Sequence, residues 1–451
     1  VRARMDVSMP LWQIAVAAVA GLIGLVLLLD RDRVWVFAAP WNIHEACDTA
    51  YRRRKPGQQV VRFRWYTKPL AVVTDPRKAS RVANNDSMYA DFTQYMWDAL
   101  WGPTKPLLFS GNAAHKVQRK HASFMLGPEF AEQARDTIRK ATAAWLDETF
   151  ADGEWHALNV HKMNELTWRM VASLTTGEDT PPHFRLVSLQ EVHNARTAGL
   201  VATVLGTPTL PVYGTIARAL APDHARWVAF IRQRIHAQKA GNGAEGRAGA
   251  EAVLLRRLCE EEGVDEVQAF GVIVALHVAG HHAPAAATTF ALYHILKEAP
   301  VLDRVKADLS NNEYLTQVLH ETVRLYPGGC VSRFFVAKSD DPTIGLRRGE
   351  TVIVPWYSFH RDPSINADPE RFDPDRVETK GSFFPFGYGR HSCIGQRLVR
   401  PMFEEAIRGI LGDLEVRLDK DVLDYHSQLV TAEPGAAMEH IMFARKKPAG
   451  N

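Results

Sequence analysis

One cysteine stands at the end of a glycine-rich loop that leads into a predicted helix. The loop reads Phe-Gly-Tyr-Gly-Arg-His-Ser-Cys-Ile-Gly from Phe386 to Gly395, and the helix is predicted from Ile394 to about Leu411. Free N–H groups and the dipole at a helix N-terminus stabilise a thiolate, which is a strong donor to iron. A lone cysteine is more often a small buried apolar residue. The loop and the helix together are what favour a thiolate ligand at Cys393.

Two charged residues lie three positions apart on another predicted helix, which ends near Leu325. Glu321 and Arg324 therefore share one helical face, where an isolated pair would be an ordinary surface ion pair. His320 and Glu321 resemble the start of a zinc-protease motif, but Arg324 replaces the second histidine of that motif, which excludes a zinc protease.

The longest predicted helix runs from Glu266 to about Glu298. Asp265 can cap it, Gln268 stands three residues later, and Pro300 follows its end. At 1.5 Å per residue this helix spans roughly 50 Å, enough to cross a whole domain.

Glycine and proline interrupt this helix near its middle, at Gly280-His281-His282-Ala283-Pro284. Pro284 has no N–H for the carbonyl of Gly280, and its ring crowds that carbonyl. We therefore expect the helix to open here. His281 and His282 point about 100° apart, so they cannot chelate one metal together.

Shorter patterns complete the prediction of a mainly α fold with small β-sheets. Val60–Trp65 and Leu70–Thr74 are predicted to be paired strands, and Arg333–Pro355 is predicted to be β structure. Pro128–Phe150 and Val160–Leu174 have helical periodicity.

Composition excludes several classes of protein. The chain has 451 residues, with 54 Lys and Arg against 51 Asp and Glu, so it lacks the broad basic field that nucleic-acid binding requires. Its four cysteines, at positions 47, 259, 330 and 393, are too far apart to suggest a zinc cluster or a disulfide framework. A reducing compartment is the simpler interpretation.

An apolar run from Leu11 to Leu29 predicts a membrane anchor within residues 1–33, before a catalytic domain at 34–451. As a helix this run is about 28 Å long, close to the thickness of a bilayer core. A signal peptide and a buried helix are the alternatives, but charged residues follow where a cleavage site would stand. The basic run Arg52–Lys55 favours a single-pass protein with a cytoplasmic catalytic domain.

These motifs resemble those of the cytochrome P-450 superfamily. Phe386–Gly395 is similar to its haem-binding signature, Phe-x-x-Gly-x-(basic)-x-Cys-x-Gly, with His391 at the basic position. Glu321 and Arg324 match its Glu-x-x-Arg motif, and Arg371 matches the third member of that charged cluster. The matches run in the family's order along most of the chain.

The resemblance implies the cytochrome P-450 fold, haem b as cofactor and Cys393 as the ligand to its iron. The implied cofactor-binding residues are His115, Arg119, Arg333, Phe386, Gly387, Gly389, His391 and Gly395. Among them His115, Arg119, Arg333 and His391 would bind the haem propionates. Glu321, Arg324 and Arg371 would form a buried ion network with a structural role.

The long helix departs from the family's oxygen-binding groove, in which an acid and an alcohol follow Ala/Gly-Gly-x. Here His282 takes the place of the acid and Ala283 that of the alcohol. We hypothesise that the carbonyl of Gly280, freed by Pro284, holds a water that relays protons together with His282. The alternative is that His282 merely packs or faces solvent.

The resemblance implies a monooxygenase that inserts one oxygen atom from O2 into an apolar small molecule. Electrons would come from NAD(P)H through a ferredoxin or a flavoprotein reductase. Because the acid and alcohol are missing, a haem-thiolate isomerase, dehydratase or peroxygenase is an alternative, and a non-catalytic haem-binding protein is a second one.

Overall fold

The computed structural model describes residues 34–35, 43–65, 68–85, 88–91, 116, 119–120, 122–123, 126–177, 224–240, 253–328, 332–376, 383–389, 392–428 and 431–448. The helices are α1 (Ile43–Arg52), α2 (Pro76–Asn84), α3 (Pro128–Thr149), α4 (Val160–Thr176), α5 (His224–Lys239), α6 (Val253–Glu260), α7 (Glu266–Lys297), α8 (Ala299–Ala307), α9 (Asn312–Leu325), α10 (Trp356–His360) and α11 (Gln396–Asp413). The strands are β1 (Val34–Trp35), β2 (Val60–Trp65), β3 (Lys68–Val73), β4 (Tyr89–Asp91), β5 (His156–Ala157), β6 (Arg333–Ala337), β7 (Thr351–Val354), β8 (Leu414–Leu418), β9 (Tyr425–Gln428), β10 (Thr431–Pro434) and β11 (Met442–Lys446).

Among the described residues, the larger of two hydrophobic cores is helical and is centred on α7. This helix packs most extensively against α4, while α11 packs against α3. Each of these four helices contributes a fully buried aromatic side chain, from Trp145, Trp168, Phe290 and Phe403. Burial of the apolar faces of these helices drives their packing. The packing in turn stabilises the helices, since isolated helices of such length are only marginally stable in water.

The smaller core lies on a six-stranded sheet of order β1-β2-β3-β7-β6-β4. The predicted hairpin is present as the antiparallel pair β2 and β3, with Val60 opposite Val73. The parallel pairing of β3 with β7, with Leu70 opposite Thr351, joins two segments that are far apart in the chain. Arg333 is the first residue of β6 in this sheet.

Local caps explain where the main helices begin. Asp265 and Gln268 form the expected capping box, in which each side chain bonds the backbone N–H of the other residue. Asn159 caps α4 by accepting from the N–H groups of His161 and Lys162. Both caps satisfy donors that the first turn of a helix leaves unpaired.

The expectation that the long helix opens at Pro284 is wrong, because α7 is continuous from Glu266 to Lys297. Pro284 still gives no N–H to the carbonyl of Gly280. Packing on α4 supports the helix at this point, where the Thr167 hydroxyl of α4 donates to the carbonyl of His281 at 2.7 Å. Tertiary contacts therefore outweigh the local tendency of proline to break the helix.

Among the described residues, α7 is also the one helix whose length and apolar composition would suffice to cross a membrane. Its apolar window is 82% buried inside the fold, as expected for a core helix. The predicted anchor at residues 1–33 lies outside the described residues. The mainly α fold with small sheets is confirmed, and the division into anchor and catalytic domain stays a prediction.

Candidate functional site

The loop before α11 is closed by backbone hydrogen bonds that present Cys393 at the start of the helix. The N–H of Cys393 donates to the carbonyl of Phe386 at 2.7 Å, and Ser392 donates to Gly389 at 3.0 Å. Gly389 has a φ of +75°. A Cβ added at this glycine would lie 2.9 Å from the carbonyl oxygen of Ala83 in α2. Only glycine fits this position without strain.

Opposing effects act on the thiol of Cys393. The residue is exposed on one side, but the protein around its sulfur desolvates it, and this burial raises the pKa of the thiol. The N–H groups of Gly395 and Gln396 and the charge of Arg119 act in the opposite direction. A coordinated metal cation removes the proton from a thiol outright. The raised pKa of Cys393 therefore does not prevent it from acting as a metal ligand.

The guanidinium group of Arg119 contacts the same loop, and the charge of Arg333 acts on Arg119. Arg119 donates to the carbonyl of Ser392 at 2.8 Å and to its hydroxyl at 3.1 Å. Burial lowers the pKa of Arg119, the charge of Arg333 acts in the same direction, and Cys393 opposes both. Arg119, Arg333 and Cys393 are therefore close enough to interact electrostatically, although they come from three separate segments.

This set of donors fits an iron porphyrin. A thiolate suits the iron, and guanidinium groups suit the two propionates because each can form paired, charge-assisted hydrogen bonds. His115 and His391, the other predicted propionate ligands, lie outside the described residues. Phe386 and Gly387 belong to the closed loop, and Gly395 caps α11.

Small residues form the accessible face of α7. Ala279 is exposed and Ala283 is partly exposed, whereas Leu276 is buried. A Cβ added at Gly280 would lie 3.2 Å from Val171 Cγ2 of α4, so this glycine allows the two helices to approach closely. A Cβ at Gly328 would lie 2.8 Å from the carbonyl oxygen of Ala283. The backbone after α9 therefore lies directly against α7.

His282 lies between α7 and α4 and is 9% exposed. Its Nδ1 is 3.3 Å from Oδ1 of Asn164, which is 7% exposed. The side chain is thus held by a polar partner on the neighbouring helix. The predicted water at the Gly280 carbonyl stays a hypothesis.

Two further histidines of α7 are buried against α4. His277 Nδ1 donates to the carbonyl of Ile273 at 3.0 Å, and His281 Nδ1 bonds the carbonyl of His277. The ring of Trp168 lies edge-on to both imidazoles, with centroids 5.3 and 5.0 Å away. Burial lowers the pKa of His277 to about 4 and that of His281 to about 3.

The buried histidines predict that acid destabilises the fold. Unfolded histidine binds a proton below pH 6.5, whereas His277 stays neutral in the folded chain until about pH 4. Its contribution is therefore complete above pH 6.5 and is lost as the pH falls from 6.5 towards 4, by roughly 1.4 kcal/mol per pH unit for one proton. Urea unfolding at pH 7, 6 and 5 measures this loss.

Two variants provide the comparison for this acid effect. His277→Leu should reduce the pH dependence of the free energy of unfolding by about one proton. His161→Leu, whose side chain is 59% exposed, should leave it unchanged. Equal pH dependence in wild type and His277→Leu would contradict the prediction.

Glu321 and Arg324 form a buried bidentate ion pair, with N–O distances of 2.6 and 2.8 Å. Arg324 also donates to the carbonyls of His360 and Pro369, both at 2.8 Å. Such bonds compensate for the removal of both charges from water.

The prediction that the Arg371 side chain completes this cluster is wrong. Arg371 is exposed and contributes its backbone carbonyl, which accepts from Arg324 at 3.3 Å. The third charged side chain is Arg376, whose Nε lies 3.2 Å from Glu321 Oε1. A turn after Phe372 brings Arg376 back, since Arg376 N–H donates to the carbonyl of Asp373.

Single substitutions can separate these two arginines. Arg376→Ala should lower the free energy of unfolding by about 1–3 kcal/mol, because it removes a charged hydrogen bond to a buried carboxylate. Arg371→Ala should change it by less than about 0.5 kcal/mol, as is usual for exposed positions. Thermal and urea unfolding of both variants would measure the difference, and an equal or larger effect of Arg371→Ala would refute the assignment.

Three residues of the site were not identified from the sequence: Asn164, Arg376 and Ser392. Asn164 lies on the same face of α4 as Thr167 and Trp168. The sequence of α4 predicted a helix but indicated no functional role for Asn164. Arg376 follows the turn sequence Asp373-Pro374-Asp375, which could have suggested a reversal of the chain.

Comparison with known proteins gives the same assignment as the motifs. A family model described as cytochrome P-450 matches residues 229–439. Cytochrome P-450 3A41 of Mus musculus is 42% identical over 93 residues, or 19% of this chain and 18% of that protein. Cytochrome P-450 3A13 of Mus musculus is 30% identical over 183 residues, or 35% of this chain and 36% of that protein. Ent-kaurenoic acid oxidase 1 of Hordeum vulgare is 24% identical over 388 residues, or 78% of this chain and 75% of that protein. The chain therefore spans about a third or less of the length of the two mouse relatives.

Proposed function

Because this chain belongs to the cytochrome P-450 superfamily, we propose that it is a haem-thiolate monooxygenase. It inserts one oxygen atom from O2 into an apolar small molecule. The observation that carries this proposal is the position of Cys393, exposed at the start of α11, with the Arg119 guanidinium on the adjoining Ser392. When bound, haem b supplies the redox chemistry by which dioxygen is activated.

The residues of the chain bind and orient this group. Cys393 ligates the iron, and the N–H groups of Gly395 and Gln396 stabilise its sulfur. Arg119 and Arg333 bind the propionates, with His115 and His391. The small side chains of Ala279 and Ala283 leave room on α7 for an apolar substrate.

Proton transfer is assigned to the middle of α7. In place of the family's acid and alcohol, His282 moves protons, aided by a water on the Gly280 carbonyl beside Pro284. Replacing His282 by Ala should lower the yield of product per electron consumed.

The enzyme needs an electron donor, which we place on the side of Cys393. Lys116, Lys120 and Arg397 are exposed there, and they can attract an acidic ferredoxin or flavoprotein that carries electrons from NAD(P)H. Residues 1–33 are proposed to hold the enzyme in a membrane by a single span, with its catalytic domain in the cytoplasm.

Charge reversal tests this docking surface. Lys120→Glu with Arg397→Glu should slow haem reduction by about tenfold or more at low salt and by less at high salt, because salt screens the attraction. Stopped-flow reduction by the donor measures the rate. Lys306→Glu, an exposed residue of α8, is the matched control, and wild-type reduction rates in the double variant would refute docking at this surface.

Two observations test the function as a whole. Anaerobic reduction with reductase and NADPH, followed by CO, should produce a thiolate-type carbonyl spectrum. A panel of apolar compounds, screened by the spin shift of the haem, should then include one whose oxidation requires both NADPH and O2. Product formed without either reagent would indicate rearrangement, and a thiolate spectrum without any turnover would indicate a non-catalytic haem protein.

A further inference from the structure

The imidazole of His360 holds a backbone N–H of the segment that leads to Cys393. His360 is the last residue of α10 and is 0% exposed. Its Nε2 lies 2.9 Å from the backbone nitrogen of Phe384. A backbone N–H can only donate, so this ring nitrogen is the acceptor, and the hydrogen of the neutral ring is on Nδ1. The ring therefore fixes one defined point of the chain before the loop.

The surroundings of His360 keep this acceptor unprotonated. Burial lowers the pKa of the imidazole to about 3, and the charge of Arg324 acts in the same direction. Nδ1 has no hydrogen-bond partner among the described residues. A buried polar atom without a partner is unfavourable, so a histidine at this position needs a reason, and the bond from Phe384 to Nε2 provides one.

Phe384 is held by both ends of α10. His360 accepts from its N–H, while the ring of Trp356, the first residue of α10, lies 4.8 Å from the ring of Phe384 between centroids. Phe384 is 4% exposed, so its N–H is largely removed from water. Without the imidazole this N–H would be a buried donor without a partner, which favours a different position for Phe384.

Backbone hydrogen bonds connect Phe384 to the cysteine. The carbonyl of Phe384 accepts from the N–H of Gly387 at 3.0 Å, and the carbonyl of Phe386 accepts from the N–H of Cys393 at 2.7 Å. Gly387 has a φ of +71°, which favours glycine at this turn. A displacement of Phe384 would therefore change the turn that sets the direction of Cys393.

The backbone of His360 is bound independently of its ring. Its carbonyl accepts from Arg324 at 2.8 Å and from the side chain of Asn366 at 3.1 Å. These two bonds use the backbone, so they can remain when the side chain of His360 is replaced. Substitution at His360 thus separates the contact with the loop from the ion pair of Arg324 and Glu321.

We propose that His360 is a positioning residue for the iron ligand, whose Nε2 holds Phe384 and thereby keeps the loop in the conformation in which Cys393 binds iron as a thiolate. This inference rests on the haem binding proposed above. It requires an acceptor at the place of Nε2. The Oε1 of glutamine is as many bonds from Cα as Nε2 of histidine, whereas the Oδ1 of asparagine is nearer the backbone. His360→Gln should therefore keep the contact, and His360→Asn and His360→Leu should lose it.

Hydrogen exchange of the whole protein tests the contact without turnover. Mass spectrometry follows the backbone amides of residues 384–387. In His360→Leu and His360→Asn these amides should exchange about tenfold faster than in wild type, because loss of the bond to a buried donor favours local opening. In His360→Gln the exchange should stay within about twofold of wild type, because the acceptor is retained.

The decay of the thiolate-type carbonyl spectrum tests the effect on the ligand. After reduction and addition of CO, this spectrum should be lost about tenfold faster in His360→Leu and His360→Asn, and His360→Gln should restore the wild-type rate. His277→Leu is the matched control, because it removes a buried imidazole that bonds the carbonyl of Ile273 within α7. It should change neither the exchange of residues 384–387 nor the decay.

Wild-type exchange and wild-type decay in His360→Leu would overturn the proposal. If that variant does not fold, equal exchange and decay in His360→Gln and His360→Asn would overturn it. Faster exchange without faster decay would show that the contact does not position Cys393. Absence of a thiolate-type spectrum in the wild type would count against the proposed function, whereas a normal wild-type spectrum that no substitution at His360 affects would count against the positioning role alone.

Discussion

Cys393→Ser should abolish the thiolate-type carbonyl spectrum and reduce all haem-dependent turnover to background. The physical reason is that serine oxygen is a far weaker electron donor than thiolate sulfur, whose release of electron density favours O–O cleavage. The backbone of the loop should be preserved, because the N–H of Cys393 bonds the carbonyl of Phe386 whatever the side chain. Spectra of the reduced, CO-treated variant and its haem content measure the effect.

Cys259→Ser is the matched control for this substitution. Cys259 is partly buried on α6, and its sulfur lies 4.0 Å from the carbonyl of Ile235, a weak contact. Its replacement should leave the carbonyl spectrum unchanged. A normal thiolate-type spectrum in Cys393→Ser would refute the ligand assignment, and loss of that spectrum in Cys259→Ser would point to Cys259 instead.

Glu321→Gln should lower the free energy of unfolding by about 3–5 kcal/mol, the range found when one partner of a buried ion pair is removed. The substitution preserves the size of the side chain but leaves the guanidinium groups of Arg324 and Arg376 without their shared carboxylate. Arg324 is 1% exposed, so its charge is largely removed from bulk water. Urea unfolding, monitored by far-ultraviolet circular dichroism, measures the change.

Glu415→Gln removes a carboxylate of the same type from an exposed pair. Glu415 and Arg445 are 2.6 Å apart, with side chains 38% and 39% exposed, and pairs of this kind contribute about 0–1 kcal/mol. This control should therefore change the free energy of unfolding by less than about 1 kcal/mol. Similar losses in both variants would show that burial does not set the strength of the Glu321 network.

Most secondary structure was predictable because its signals are local. The hairpin of β2 and β3, the capping box at Asp265 and Gln268, and the helix ending at Leu325 all follow from residues a few positions apart. Pro284 is the exception. Its local preference predicts an opened helix, but burial of α7 in the core keeps the helix continuous.

The charged cluster of Glu321, Arg324 and Arg376 includes one contact that a short sequence motif predicts and one that it does not. Glu321 and Arg324 are three residues apart on one helix, so their contact follows from helical geometry. Whether Arg376 or Arg371 contacts Glu321 depends on how the chain turns after α10. Arg376 lies 55 positions beyond Glu321 in the sequence. No local rule determines which of two nearby arginines turns inward.

The sequence alone therefore determined the loop that presents Cys393, because Cys393, its glycines and the start of α11 are neighbours in the chain. The tertiary structure alone decided the partners. It brings Arg119 to Ser392 across 273 positions and Asn164 to His282 across 118. Such contacts depend on which helix faces pack together, and that is decided by burial of the whole core rather than by any short pattern. The motif around Cys393 could be recognised before folding was considered, whereas the contact between His282 and Asn164 could be recognised only once α4 was packed against α7.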